Sequence, residues 1–280
     1  MRTPQQRSGQ TGRTLNSGPA SVIAHRGSSS IEPEHTLSAY ERAIYDDGAD
    51  GVECDVRLTA DRHLVCVHDR RVDRTSDGVG VVSALELAAL EGLDWGCWKA
   101  AHPNEDEMPL RDRSAILTLR QLILAVLRAD RKLDLVIETK HPTRYSGDVE
   151  RAVAGLLAEF GLLQPGQVNV RLMSFSALAV QRMARLAPDL ERVQLMELPT
   201  ALRFVDTLPR NVDIVGTRIA VIRRIPGFVA RQHRHGRQVH VWTVDEPQDV
   251  RRCIGLGVDA IITNRPAMVR EIVDGSRPTG

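Results

Sequence analysis

The chain has 280 residues, 42% hydrophobic and 26% charged, and its 37 basic and 36 acidic side chains leave a formal charge of +1. That balance provides no field to draw nucleic acid onto the whole surface, so polyanion binding is excluded as a main role. The length admits one α/β barrel or two small domains.

Residues 1–20 are rich in Gln, Arg, Ser, Thr and Gly and have no apolar core, so they are expected to form a disordered tail rather than a signal or a membrane span. No later stretch approaches ~18 uninterrupted apolar residues, and stable membrane insertion is not expected. From residue 21 onward, short apolar runs alternate with amphipathic segments. Strand Ser21–Ala24 precedes helix Thr36–Tyr45, with Thr36 as its cap. Strands Gly51–Leu58 and Leu64–Val67 follow, then helices Ala84–Leu90 and Leu119–Ala129, strand Leu133–Thr139 and helix Asp148–Phe160. The alternation continues with strand Val168–Met173, helix Ala177–Leu186, strand Val193–Met196, a poorly defined helix near Ala201–Val205 and strand Val212–Val215. It closes with helix Gly227–His233, strand Gln238–Val244, helix Gln248–Gly255, strand Ala260–Thr263 and helix Ala267–Val273.

About eight strand-helix units over residues 21–280 predict a TIM (β/α)8 barrel, a fold of about 250 residues. A doubly wound sheet is disfavoured because no G-x-G-x-x-G turn follows the first strand. Residues 69–118, dense in Gly, Trp, Pro and charge, are too long for a simple connection and are expected to form a small insertion near the barrel mouth. The cysteines, Cys54, Cys66, Cys97 and Cys253, form no C-x-x-C pair, which argues against structural zinc and for a reduced, cytoplasmic setting.

Reactive groups of such a barrel gather where strands end. Glu53 and Asp55 lie two apart in the apolar run Gly51–Arg57, on one strand face with Cα atoms roughly 6.5 Å apart. Buried like charges need compensation, either from a basic side chain such as Arg57 or from a cation. Glu138, at the end of Leu133–Thr139, adds a third hard oxygen donor, a set suited to Ca²⁺ or Mg²⁺. His25 ends the first strand and His68 follows the short third one, supplying a base or nucleophile and an acid near neutral pH. Arg26 and Lys140 are suited to hold phosphoryl oxygens.

Together these residues resemble the glycerophosphodiester phosphodiesterase family. The resemblance rests on Ala24-His25-Arg26-Gly27, Pro33-Glu34-His35-Thr36-Leu37, Gly48 through Val56, Val67-His68-Asp69 with Arg74-Thr75, and Leu93-Asp94-Trp95-Gly96. It continues through Ile137-Glu138-Thr139-Lys140, Ser174-Phe175, Val241-Trp242-Thr243-Val244-Asp245, Gly257-Val258-Asp259 and Ile261 to Pro266, spanning about residues 21–274. It implies hydrolysis of glycerophosphodiesters to sn-glycerol 3-phosphate and an alcohol, with a small-molecule substrate. By motif position it implies His25 and His68 as the catalytic pair and Glu53, Asp55 and Glu138 as metal ligands. Arg26 and Lys140 match the phosphate contacts, and Trp242 the wall beside the glycerol. His35 stands where many members have Asn, Asp245 where Asn is common and Asn264 where Asp is common. These departures are expected to lie outside the metal and histidine core and to bear on substrate preference.

Other features are assigned bland roles. His233, His235 and His240 are not expected to form a second metal site. Trp95 and Trp98 are read as lining the mouth or packing at its rim. The three arginines of Arg218–Arg224 are read as a solvated face. The rival functions are hydrolysis of lysophospholipids, which needs an apolar entrance, and a barrel that binds a phosphodiester without cleaving it.

Overall fold

The computed structural model describes residues 18–99, 114–197, 208–209 and 211–276. Eight parallel strands close into a barrel: β1 (Ser21–His25), β2 (Gly51–Leu58), β4 (Leu133–Thr139), β5 (Val168–Ser174), β6 (Glu191–Met196), β7 (Ile214–Arg218), β8 (Gln238–Trp242) and β9 (Ala260–Thr263). Closure is made by β1, which pairs with both β9 and β2. A short strand, β3 (Leu64–Cys66), pairs antiparallel with the end of β2 at Val56–Leu58.

The helices clad this sheet: α1 (Leu37–Glu41), α2 (Leu87–Glu91), α3 (Leu119–Leu127), α4 (Asp148–Glu159), α5 (Ala177–Leu186), α6 (Ile219–Arg224), α7 (Phe228–Arg234), α8 (Pro247–Gly255) and α9 (Pro266–Gly275). Strands covered on both faces explain the near-continuous burial of β2 and β4 despite their acids. Alternation sorts the residues. Val52, Cys54 and Val56 of β2 and Leu133, Leu135 and Ile137 of β4 join the large core under the helices. The alternate residues point to the barrel axis, where Ile23, Val136, Met173, Val193, Ile214 and Ile262 form an apolar plug. Below the plug, Arg171 pairs with Asp134 and Glu191. Above it lie the polar groups described next. The plug gives the cavity a floor and the strand ends give it walls.

Several boundaries differ from the sequence expectation. The helix capped by Thr36 runs only to Glu41 before the chain widens into a π-turn over Arg42–Asp46, although Thr36 does accept the Ala39 N–H. Ala84–Leu90 is a 3₁₀ turn, Val82–Ala84, followed by α2. The strand placed at Val212–Val215 is displaced to Ile214–Arg218, and α6 follows it without a turn residue. The helix expected near Ala201–Val205 lies outside the described residues, as do residues 1–17 of the expected tail. In the insertion, residues 69–99 and 114–118 are described; Val65, Val67, Val72, Val82, Leu90, Trp95 and Ile116 give it a small core of its own. Trp95 belongs to that core and bonds the Leu90 carbonyl, while Trp98 sits at the rim beside Arg74 and Lys99. Among the described residues no helix is long and apolar enough to cross a membrane.

Candidate active site

Register brings the acids and one histidine together. The β1–β2 pairing sets His25 opposite Glu53, and the β2–β4 pairing sets Asp55 opposite Glu138. One carboxylate oxygen from each of Glu53, Asp55 and Glu138 lies within 4.8 Å of the others. The two acids of β2 do not close their strand, as the sequence suggested; they sit in its interior, because Val56–Leu58 runs on past the barrel rim to pair with β3. Arg57 is not their neutralising partner. Its guanidinium holds the His68 carbonyl from Nε at 3.1 Å and Nη2 at 2.7 Å.

Two cations lie among the three carboxylates. Lys140 Nζ is 2.8 Å from Glu138 and 3.3 Å from Asp55, and Arg26 Nε is 3.2 Å from Asp55. Burial pushes Asp55 upward, but Lys140, the His35 hydrogen bond and Arg26 outweigh it and hold the carboxyl well below its usual range. Burial and the Asp55 charge push Glu53 well above its usual value and carry Glu138 to about 8. With all three carboxyls ionised, as metal ligands must be, the site carries one net negative charge against Arg26 and Lys140. A divalent cation reverses it, and an all-oxygen donor set fits a hard ion. The residues present therefore fit a divalent metal.

The loop after β1 is held in an uncommon conformation. Arg26 and His35 have φ of +59° and +63°, a left-handed conformation that costs non-glycine residues roughly 1–2 kcal/mol each. The Arg26 N–H bonds Glu53 Oε2 at 3.1 Å, and the His35 N–H bonds the Arg26 carbonyl at 3.0 Å. Gly27, at φ +83°, has no room for a Cβ, which would fall 2.6 Å from Ala39. The strained loop thus delivers both Arg26 and His35 to Asp55.

His35, Asp245 and Asn264 are not peripheral. His35 Nε2 lies 3.0 Å from Asp55 Oδ2, and its Nδ1 meets the Tyr40 hydroxyl at 2.7 Å. Asn264 Oδ1 lies 2.7 Å from His25 Nδ1, and its Nδ2 donates to Asp245 Oδ2 at 2.7 Å. These departures from the family pattern touch the core itself, because the loops after β8 and β9 fold back over the end of β1.

His68 is supported differently. Its Nδ1 is 2.7 Å from Asp69 Oδ1, and Arg74 links Asp69 to Glu34, which also accepts from Arg26 Nη1 at 2.9 Å. Glu34 and Asp69 stand in the sequence motifs that carry the family resemblance but were assigned no role there. Burial and Arg26 lower the His25 pKa to about 3. Burial also lowers His68, against the opposing pull of Asp55 and Asp69.

These groups line a cavity of about 360 Å³ that holds His25, Arg26, Glu53, His68, Glu138 and Lys140 on one side. Trp242 walls the other side, with Phe175 edge-on to it at 5.6 Å and the Arg218 guanidinium 5.4 Å above its ring. The β7–β8 register pairs Arg218 directly with Trp242, so this arginine lines the cavity mouth while its side chain stays exposed, paired with Glu197 at 3.5 Å. Arg223, from the same run, pairs with Asp249. Of the other histidines, His233 bonds Asp259 and His240 is buried in β8. Asp55 lies just behind the lining, 1% exposed.

Comparison with known proteins agrees with this geometry. Residues 25–268 match the glycerophosphoryl diester phosphodiesterase family. A Mycobacterium tuberculosis protein named probable glycerophosphodiester phosphodiesterase 1 is 42% identical over 262 residues, covering 92% of this chain and 94% of the relative. A Bacillus subtilis glycerophosphodiester phosphodiesterase is 31% identical over 271 residues, covering 94% and 90%. Among solved structures, an Oleispira antarctica phosphodiesterase in complex with its product sn-glycerol-3-phosphate shares the fold, with a TM-score of 0.78 at 24% identity over 91% of this chain and 97% of that one. The chain belongs to the glycerophosphoryl diester phosphodiesterase family, and is a phosphoric diester hydrolase.

Proposed function

We propose that the protein hydrolyses small glycerophosphodiesters, the deacylated phospholipids, to sn-glycerol 3-phosphate and the headgroup alcohol, using one Ca²⁺ or Mg²⁺ held by Glu53, Asp55 and Glu138. The observation that carries this reading is the convergence of three carboxylates, two cations and two histidines on one cavity. Once bound, the ion supplies positive charge to the phosphoryl oxygens. Arg26 and Lys140 stand beside the same centre and stabilise negative charge that develops on the phosphoryl group.

The two histidines divide the proton transfers according to their partners. His25 rests on the neutral amide of Asn264 and is held uncharged, so it accepts the proton of the attacking hydroxyl, from water or from the glycerol 2-position. As the new P–O bond forms, the bond to the headgroup oxygen breaks; attack by water gives sn-glycerol 3-phosphate at once, whereas attack by the 2-hydroxyl gives a cyclic phosphate whose ring P–O bond a water molecule then breaks. His68 rests on the Asp69 carboxylate, which opposes the lowering of its pKa by burial, and in its protonated form it donates its proton to the departing alkoxide. Trp242 and Phe175 offer an apolar face to the glycerol carbons.

A cavity of about 360 Å³ lies at the small end of ligand pockets, which run from roughly 300 to 1,000 Å³. That size favours a soluble diester over a long-chain lysophospholipid. Four free cysteines, three of them buried, support a reduced cytoplasmic setting. The test is product release from glycerophosphocholine, glycerophosphoethanolamine and glycerophosphoglycerol beside a long-chain lysophospholipid, each with Ca²⁺, Mg²⁺ or chelator. Turnover of the lysophospholipid alone, or full activity after chelation, would reject the proposal.

A further inference from the structure

The hydrogen bonds behind His25 form a chain whose polarity is set at its far end. Asp245 Oδ1 accepts from the Asn264 backbone N–H at 2.8 Å and from the Thr263 hydroxyl at 2.9 Å. An ionised carboxylate is acceptor-only, so the side-chain group of Asn264 that faces Asp245 Oδ2 must be its NH₂. The amide has no freedom left. Its oxygen turns the other way, to His25 Nδ1, beside the Ser29 hydroxyl at 2.8 Å, whose one hydrogen is shared with the His25 carbonyl at 2.7 Å. An amide oxygen only accepts, so His25 Nδ1 carries the hydrogen.

We propose that Asn264 and Asp245 are positioning residues that fix His25 in its Nδ1–H tautomer, leaving the lone pair of Nε2 directed at the cavity. This rests on the hydrolytic reading above and adds the element that makes His25 a base. Without Asp245 the Asn264 amide can present NH₂ to His25, which then keeps its hydrogen on Nε2 and has no lone pair for the attacking hydroxyl. His68 is oriented differently, with its Nδ1 directly on the Asp69 carboxylate, which suits a protonated ring.

The test combines a tautomer measurement with a swap. Long-range ¹H–¹⁵N spectra of the Mg²⁺-loaded protein, with His25 assigned by its loss in His25→Gln, are expected to show a protonated Nδ1 and an unprotonated Nε2. Asp245→Asn is expected to mix the tautomers and to lower kcat by about 10- to 100-fold, with KM within about threefold, as for loss of an orienting partner. Asn264→Asp alone sets two carboxylates against each other and is expected to be similarly impaired. The double variant Asp245→Asn/Asn264→Asp restores a donor facing an acceptor, and is expected to recover both the Nδ1–H signal and kcat to within about fivefold of wild type, since a coupled pair is non-additive. A wild-type His25 found in the Nε2–H form overturns the proposal whatever the variants do. So does an Asp245→Asn protein with unchanged tautomer and kcat, or a double variant no better than either single one. Because the tautomer is read without turnover, a protein that failed to cleave glycerophosphodiesters would reject the hydrolytic reading and leave the relay to be decided on the spectra.

Discussion

Binding of a divalent ion should expel protons from the site, and the structure sets the number. In the metal-free protein, Glu138 titrates at about 8 and Glu53 well above the usual carboxylate range, both through burial and the Asp55 charge. A group at 8 is roughly 0.9 protonated at pH 7, and metal ligands must be deprotonated, so uptake of one ion at pH 7 should release about one to two protons. The sign for stability follows from the same shift. A carboxyl with a raised folded-state pKa stabilises the metal-free fold fully below the ordinary Glu value, and that contribution is lost as pH rises through about 8. Below about pH 6.5 the lowered pKa values of His25 and His68 act in the opposite sense, so the loss of stability in the metal-free protein should be read between about pH 6.5 and 8, and Mg²⁺ or Ca²⁺ should bind more tightly as pH rises over that interval. Isothermal titration of metal into chelator-treated protein, in PIPES and in Tris at equal pH, reads the proton count from the difference in heat. Equal heats in the two buffers with pH-independent affinity would refute the assignment of Glu53 and Glu138 as ligands.

Further outcomes follow from single contacts. Gly27→Ala must relieve a 2.6 Å approach to Ala39 at a φ of +83°; the conformational cost of about 1–2 kcal/mol and overlap of about 1–3 kcal/mol predict a loss of about 2–5 kcal/mol in urea unfolding. A loss under about 0.5 kcal/mol would contradict the close approach. Arg218→Ala removes the guanidinium over Trp242 on the wall opposite the histidines, and should raise KM several-fold with kcat within about threefold; an equal fall in kcat and kcat/KM would place Arg218 in the chemistry instead. Trp95→Ala empties the centre of the insertion core and should cost about 3–5 kcal/mol, read as faster hydrogen exchange confined to residues 65–95. Unchanged exchange there would show that the insertion does not depend on this residue.

The barrel and the metal-site candidates were legible because each rests on local pattern. Strand β4 was bounded at Leu133–Thr139 and helix α5 at Ala177–Leu186 by apolar runs and breakers alone. Glu53, Asp55 and Glu138 stood out as acids on otherwise apolar strands, and alternation is enough to put them on one side. Arg218 was missed because its strand begins two residues later than the run suggested and feeds α6 with no Gly, Pro or Asn between them. What makes it a cavity residue is its pairing with Trp242, a register the local sequence does not encode. His35 and Asn264 were placed too far out for a related reason. Each reaches the site through a loop, one with a left-handed backbone, and nothing in the spacing of residues 25, 35, 245 and 264 shows that those loops converge.

The most direct measurement is the rate of sn-glycerol 3-phosphate release from glycerophosphocholine by the metal-loaded protein, set beside His25→Ala and His68→Ala. Steady release by the wild type, with each variant slowed by at least about 10²-fold while its circular dichroism and melting curve stay native, is the predicted result. Near-normal release by either folded variant would contradict the account.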